Sequence, residues 1–269
     1  MIITSAELAP ENRVIQGLWI GSHLSVMERL SIVSFLSSGH EYHLYVYDDL
    51  RNVPAGATVK DGNEILPASM IFQYETHKSF SAFSNFFRYK LLLEKGGWWA
   101  DLDTICLRPF DFRHEYVFSS EIASGKEYIN CGVIKAPRGS PVLMYAWDVC
   151  RVRKPEKLVW GEVGPRLLSE SVKRLSLESF VMRPRVFCPL GYAELDDALN
   201  PNKVWNLEDA YAVHLWNEMW RRNDRDKNQS FHPDCLYERL KRMYLSLGYD
   251  PISSSDTQRS VAGKSITNP

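Results

Sequence analysis

The chain has 269 residues and a formal charge of −1, from 32 basic and 33 acidic residues. Hydrophobic residues make up 45% and charged residues 24%, which suits a packed core and excludes disorder as the overall state. The balanced charge excludes a global basic field for nucleic acid, and no apolar run approaches the roughly 20 residues of a membrane span.

Met1–Arg13 lacks a basic start followed by an apolar core and does not read as a signal peptide. Val14–Ile20 is an apolar run ending at Gly21 and predicts a strand. Ser25 and Glu28 have capping-box spacing, Met27, Leu30 and Val33 continue a helical pattern, and Gly39 offers a left-handed stop. Glu41–Tyr47 then reads as a strand ending at Asp48-Asp49. A parallel β-α-β unit closes this segment, with ligands expected at the C-terminal ends of its strands. It has no GxGxxG, so a dinucleotide fingerprint is missing.

Leu50–Pro67 is turn-rich. A helix starts near Ser79 or Ser81, with Phe83, Phe87 and Leu91 on a core face and Ser81, Asn85 and Arg88 in a polar stripe. Gly96-Gly97 ends it, and Trp98-Trp99-Ala100 predicts a buried strand emptying into Asp101-Leu102-Asp103. Tyr128–Lys135 reads as a strand, Ser140-Pro141 as the cap and first turn of a helix to Cys150, and Pro165–Leu175 as another helix. Tyr211–Trp216 alternates as a strand, with Ala212, His214 and Trp216 on one face. Residues 1–250 read as one domain, and the Ser-rich 251–269 as a flexible tail. The five cysteines are odd in number and form no CxxC pair, so buried free thiols in a reducing, cytoplasmic setting are expected.

Asp101 and Asp103 carry the clearest chemistry. Two carboxylates two residues apart at a strand end project together and suit a hard divalent cation, Mn²⁺ or Mg²⁺, leaving positions for a diphosphate. Tryptophans before the pair and an apolar run after it distinguish it from a solvated turn.

The run from Ser84 through Arg88, Gly96-Gly97 and Trp98-Trp99 to Asp101-Leu-Asp103 resembles the signature of family 32 glycosyltransferases, with their "DXD" sugar-transfer region. Gly17–Gly21, Asn130–Pro137, Gly164–Leu168 and Tyr211–Asn217 also resemble family segments, in matching order. The resemblance implies a GT-A-type fold, a single mixed, mostly parallel sheet flanked by helices. It implies retaining transfer of a hexose from a nucleotide-sugar, UDP-linked by preference, to a glycan or glycolipid. Trp19, with Ile20 and Gly21, falls where relatives hold the base, and Asn85 and Arg88 fall where they hold donor sugar and diphosphate. Leu102, His214 and Trp216 complete the donor set, and His214 with Asp101 and Asp103 the metal set. Asp103, Arg88, Asn85 and Asn130 form the catalytic set. Many members carry aspartate at position 85, and Asn85 cannot act as a carboxylate nucleophile. Asp48, Asp49 and Glu162 are further candidates for ribose, base or acceptor contacts.

Two other readings compete. Asp101-Leu-Asp-Thr104, with Lys173 and Asp196-Asp197, fits a haloacid-dehalogenase-type phosphatase, although about a hundred residues precede it. A silent nucleotide-sugar-binding protein is the other. Arg221, Arg222, Arg225, Lys227, Arg239, Lys241 and Arg242 make the last third locally basic, which suits either peripheral contact with the inner membrane face or a solvated helix surface.

Overall fold

The computed structural model describes residues 8–247, and the tail expected over 251–269 lies outside them. Its centre is a six-stranded sheet of order β3-β2-β1-β4-β7-β6. The strands are β1 (Val14–Leu18), β2 (Glu41–Val46), β3 (Ala57–Asp61), β4 (Gly97–Ala100), β6 (Val117–Ala123) and β7 (Lys126–Ala136). β5 (Thr104–Cys106) and β8 (Ala212–His214) form a separate antiparallel ribbon. β3, β2, β1 and β4 run parallel, whereas β7 and β6 are antiparallel additions. The central sheet is mixed and mostly parallel, as expected of a GT-A-type fold, and the β5–β8 ribbon adds a second small sheet to the single one expected.

The Val26–Ser37 helix crosses from β1 to β2. Its capping box forms: Ser25 Oγ accepts from the Met27 amide and Glu28 accepts from the Ser25 amide at 2.7 Å. The Ser81–Lys95 helix leads into β4 and buries Phe83, Phe87 and Leu91 completely against one sheet face. Each such side chain contributes roughly 1.5–3 kcal/mol on burial. Ile32 and Phe35 cover the opposite face with Trp98 and Phe110. The Leu236–Tyr244 helix and Trp220 pack on the far side of the Val26–Ser37 helix.

Several expectations are corrected. The turn-rich Leu50–Pro67 segment contains β3, an edge strand held by pairing with β2 rather than by any hydrophobic alternation of its own. The Pro165–Leu175 helix is a wide turn over Glu162–Arg166 followed by a regular helix over Leu167–Arg174. Ser140 stands at the predicted cap but makes no capping bond, and its hydroxyl is buried without a partner. β8 ends at His214 because Trp216 turns left-handed (φ 56°) to start the next helix. All five cysteines are buried and free, as expected. No described helix is long and apolar enough to cross a membrane.

Candidate active site

The parallel strands β1 and β4 end side by side, which brings Trp19 and Ile20 next to Asp101–Asp103. Asp101 follows β4 directly, and its amide donates to Gly132 O of β7. Asp103 precedes β5, whose partner β8 carries His214. Oxygen atoms of Asp101 and Asp103 and a ring nitrogen of His214 all lie within 4.8 Å of one another.

Each acid is neutralised locally. Arg88 Nη2 lies 3.0 Å from Asp101 Oδ1, and Trp99 Nε1 donates to the same oxygen at 2.8 Å. The guanidinium also reaches Ser84 and the Cys131 carbonyl and sits over the Trp99 ring. His214 Nε2 lies 3.0 Å from Asp103 Oδ1, and the Asn217 amide donates to Asp103 Oδ2 at 2.7 Å. Burial raises the Asp101 pKa despite Arg88. Burial also opposes ionisation of Asp103, but the His214 charge and hydrogen bond outweigh it and hold the carboxyl below its usual range. Asp103 in turn overrides burial at His214 and holds its pKa well above the ordinary value.

Two adjoining cavities meet at these residues. The outer one, about 440 Å³, is lined by Trp19, Ile20, Leu102 and Asp103. The inner one, about 340 Å³, is lined by Asn85, Glu121 and Asn130 between the aromatic walls Tyr74, Trp160 and Tyr192. Arg88, Asp101, His214 and Trp216 border both. Trp216 stacks on His214 with ring centroids 4.0 Å apart. Gly21 borders neither cavity.

Two glycines make the inner wall possible. A Cβ at Gly132 would lie 3.0 Å from the His214 ring, and one at Gly164 would lie 2.8 Å from Asn85 Nδ2. The Asn85 amide is buried and, among the described residues, makes no hydrogen bond of its own. Asn130 is different. Its amide oxygen accepts from Ser119 Oγ and the Gly132 amide, and its amide nitrogen meets Cys188 Sγ at 3.2 Å. That side chain shapes the wall.

Other candidates stand apart. Asp48 and Asp49 are exposed beyond β2. Glu162 is held by Arg153 and the Val159 amide. Asp196 and Asp197 pair with Arg225 and Lys203, so they do not assemble with Asp101 and Asp103 as a phosphatase requires. Much of the basic C-terminal surface is also paired: Arg221 and Arg222 with Glu218, Lys227 with Glu28, and Lys241 with Glu238. Glu121, Trp160 and Tyr192 were not singled out in the sequence. None lies in a recognisable motif, and only the strand register turns Glu121 into the cavity.

Residues 23–121 match the family model described as "Glycosyltransferase sugar-binding region containing DXD motif". The matched segment includes Asn85, Arg88, Asp101 and Asp103. No curated protein matches the chain by sequence. Solved structures similar to it include the PaToxG glycosyltransferase (15% identity, 88% of this chain and 88% of that one, TM-score 0.47). A second is the galactosyltransferase LgtC in complex with donor and acceptor sugar analogs (13%, 87% and 96%, TM-score 0.46). A third is the glycosyltransferase GlyE of Streptococcus pneumoniae TIGR4 (13%, 88% and 65%, TM-score 0.43). The matched sugar-binding region supports assignment of the chain as a glycosyltransferase, an enzyme.

Proposed function

We propose that the enzyme transfers a hexose from a nucleotide diphosphate sugar, UDP-linked by preference, to a glycan or glycolipid acceptor, with retention at the anomeric carbon. The observation that carries this reading is the meeting of Asp101, Asp103 and His214 at the border of two cavities of sugar and nucleotide size.

The donor set fits a divalent metal. Two carboxylate oxygens and one imidazole nitrogen within 4.8 Å suit Mn²⁺ or Mg²⁺, with Asp101, Asp103 and His214 as its holders. Such an ion supplies positive charge against the diphosphate leaving group. The chain's own residues do the rest. Trp19 presents a partly exposed indole to the outer cavity, where a flat base can stack. Arg88 borders both cavities and offers paired donors to phosphate oxygens. Asn85 turns an unused amide toward the inner cavity, where it can bond a sugar hydroxyl. The aromatic walls exclude water from the reacting carbon. The acceptor proton passes to the departing diphosphate on the same face, so the protein needs no separate base. The free thiols support a reducing, cytoplasmic setting, and surface polysaccharide or glycolipid synthesis suits that place.

Calorimetry of UDP binding, with Mn²⁺ and then with chelator, tests the reading on wild type and Asp103→Ala. Metal-dependent binding that Asp103→Ala abolishes is expected, followed by turnover of a UDP-hexose to an α-configured product seen by NMR. Absence of binding by both UDP and GDP would sink the transferase reading. An inverted product would sink the same-face mechanism alone.

A further inference from the structure

The inner cavity is lined by three carboxylates, and two of them are already satisfied. Asp101 is held by Arg88 and Trp99. Glu218 is held by Arg221 and Arg222. The third, Glu121, has no ion pair or side-chain hydrogen bond among the described residues. It sits on β6 opposite Tyr128 of β7. Its neighbour Ser120 is tied to Glu127 and to the Met182 carbonyl, so the strand is fixed while Glu121 is left unpartnered at the cavity wall.

A carboxylate at a cavity wall with no protein donor is open to donors that a ligand supplies. Burial raises the Glu121 pKa, with the His214 charge opposing it, which agrees with a position facing the cavity. The cavity walls include Tyr74, Trp160 and Tyr192, and the Asn85 amide is a second uncommitted polar group among the lining residues. Aromatic faces with isolated hydrogen-bonding groups suit a sugar ring. The place of Glu121 in the sheet decides which sugar. The residues assigned above to the donor diphosphate and its metal, Arg88, Asp101 and His214, border both cavities, at the end of β4. β6 is the edge strand, separated from β4 by β7, and Glu121 borders only the inner cavity.

We propose that Glu121 is an acceptor-binding residue that accepts hydrogen bonds from hydroxyls of a neutral saccharide and rejects saccharides bearing a carboxylate beside the reacting hydroxyl. This rests on the transferase reading above. Its selectivity comes from both sides. Hydroxyl donors satisfy the carboxylate, and a second carboxylate there meets like charge in a confined space.

The test uses p-nitrophenyl hexosides and the matching hexuronides as acceptors, offered with the UDP-hexose that wild type hydrolyses fastest. Glu121→Gln is expected to keep metal-dependent UDP affinity and donor hydrolysis within about threefold of wild type. It is expected to raise KM for the hexoside by about tenfold or more, the worth of a hydrogen bond to a charged group. The preference for hexoside over hexuronide should shrink with it. Thermal stability should hold or rise, because an unpaired half-buried charge has been removed. Parallel loss of donor hydrolysis and transfer would overturn the assignment and place the carboxylate on the donor. An unchanged hexoside KM, a wild-type preference for hexuronides, or hydrolysis with no glycoside used would overturn it as well. Failure of UDP and GDP binding would instead defeat the transferase reading beneath it.

Discussion

The two ends of the central sheet both bury polar groups, but they satisfy them differently. At the strand-start end, Asn12, His40, Gln16 and Lys135 are almost fully buried. The Asn12 amide donates to the Phe112 carbonyl and accepts from Trp98 Nε1 and Lys135 Nζ. Gln16 donates to the carbonyls of Gly96 and Trp98, and His40 bridges the Asn12 carbonyl and the Phe110 amide. At the other end, Arg88 pairs with Asp101 and His214 with Asp103, so these groups satisfy one another by charge. Bonds to backbone are fixed once the chain folds. Ion pairs between side chains can be exchanged for a ligand's charges. A polar group at the first end therefore specifies the fold, and one at the second end is available for chemistry.

This contrast is broken most severely at Asn12. Replacement by alanine removes the acceptor shared by Trp98 and the Lys135 ammonium, which pairs with no carboxylate among the described residues and keeps only the Phe112 carbonyl. Leaving those buried donors short should cost about 4 kcal/mol. A fall in Tm on the order of 10 °C is expected, with kcat at 25 °C unchanged. A loss of kcat with no loss of Tm would show that the two ends are not separable.

The next effect is in acid. His40 Nδ1–H donates to the Asn12 carbonyl, and Nε2 accepts from the Phe110 amide, so the folded protein needs the neutral ring. Burial pushes its pKa down from 6.5 to about 4, against the smaller pull of nearby carbonyls. The unfolded chain takes up the proton first as pH falls. The stabilisation is complete above pH 6.5 and is lost between there and about pH 4, to a limit of about 3 kcal/mol. Urea midpoints for wild type and His40→Gln, followed from pH 7.5 to 4, should converge by that amount. Parallel curves would place the acid sensitivity elsewhere.

The sequence made one end far easier to read than the other. The Asp101–Asp103 pair, Arg88, and the Phe83, Phe87 and Leu91 stripe were legible because local spacing alone places them. Alternation put His214 on a strand face with Trp216, but only the family resemblance implied its role, since its contact with Asp103 spans 111 residues. The network of Asn12, His40 and Lys135 left no mark, since every bond in it joins distant segments. β3 was missed for the same reason: Ala57–Asp61 is a strand only because β2 offers it an edge. Glu121 shows the limit most plainly. Nothing in its neighbouring residues distinguishes it from any exposed strand acid. Its meaning comes from which other carboxylates in the cavity are already paired.

The smallest expected effect tests the inner cavity from behind. Gly164 lies in the wide turn over Glu162–Arg166 and approaches the buried Asn85 amide. A methyl group there would stand 2.8 Å from Asn85 Nδ2, too close for a contact that real Cβ atoms make. Asn85 can yield only by rotating its amide within the Ser81–Lys95 helix, because its backbone is fixed by the helix. Gly164→Ala should therefore displace the amide without touching Asp101, Asp103 or His214. About a tenfold loss of kcat/KM is expected, equal to roughly 1.4 kcal/mol, with metal-dependent UDP binding preserved. Asn85→Ala in the same background should cost little more, because the displaced amide is already idle. If the two losses instead multiply, Asn85 still works in the Gly164→Ala protein, and the inner wall is softer than its packing implies.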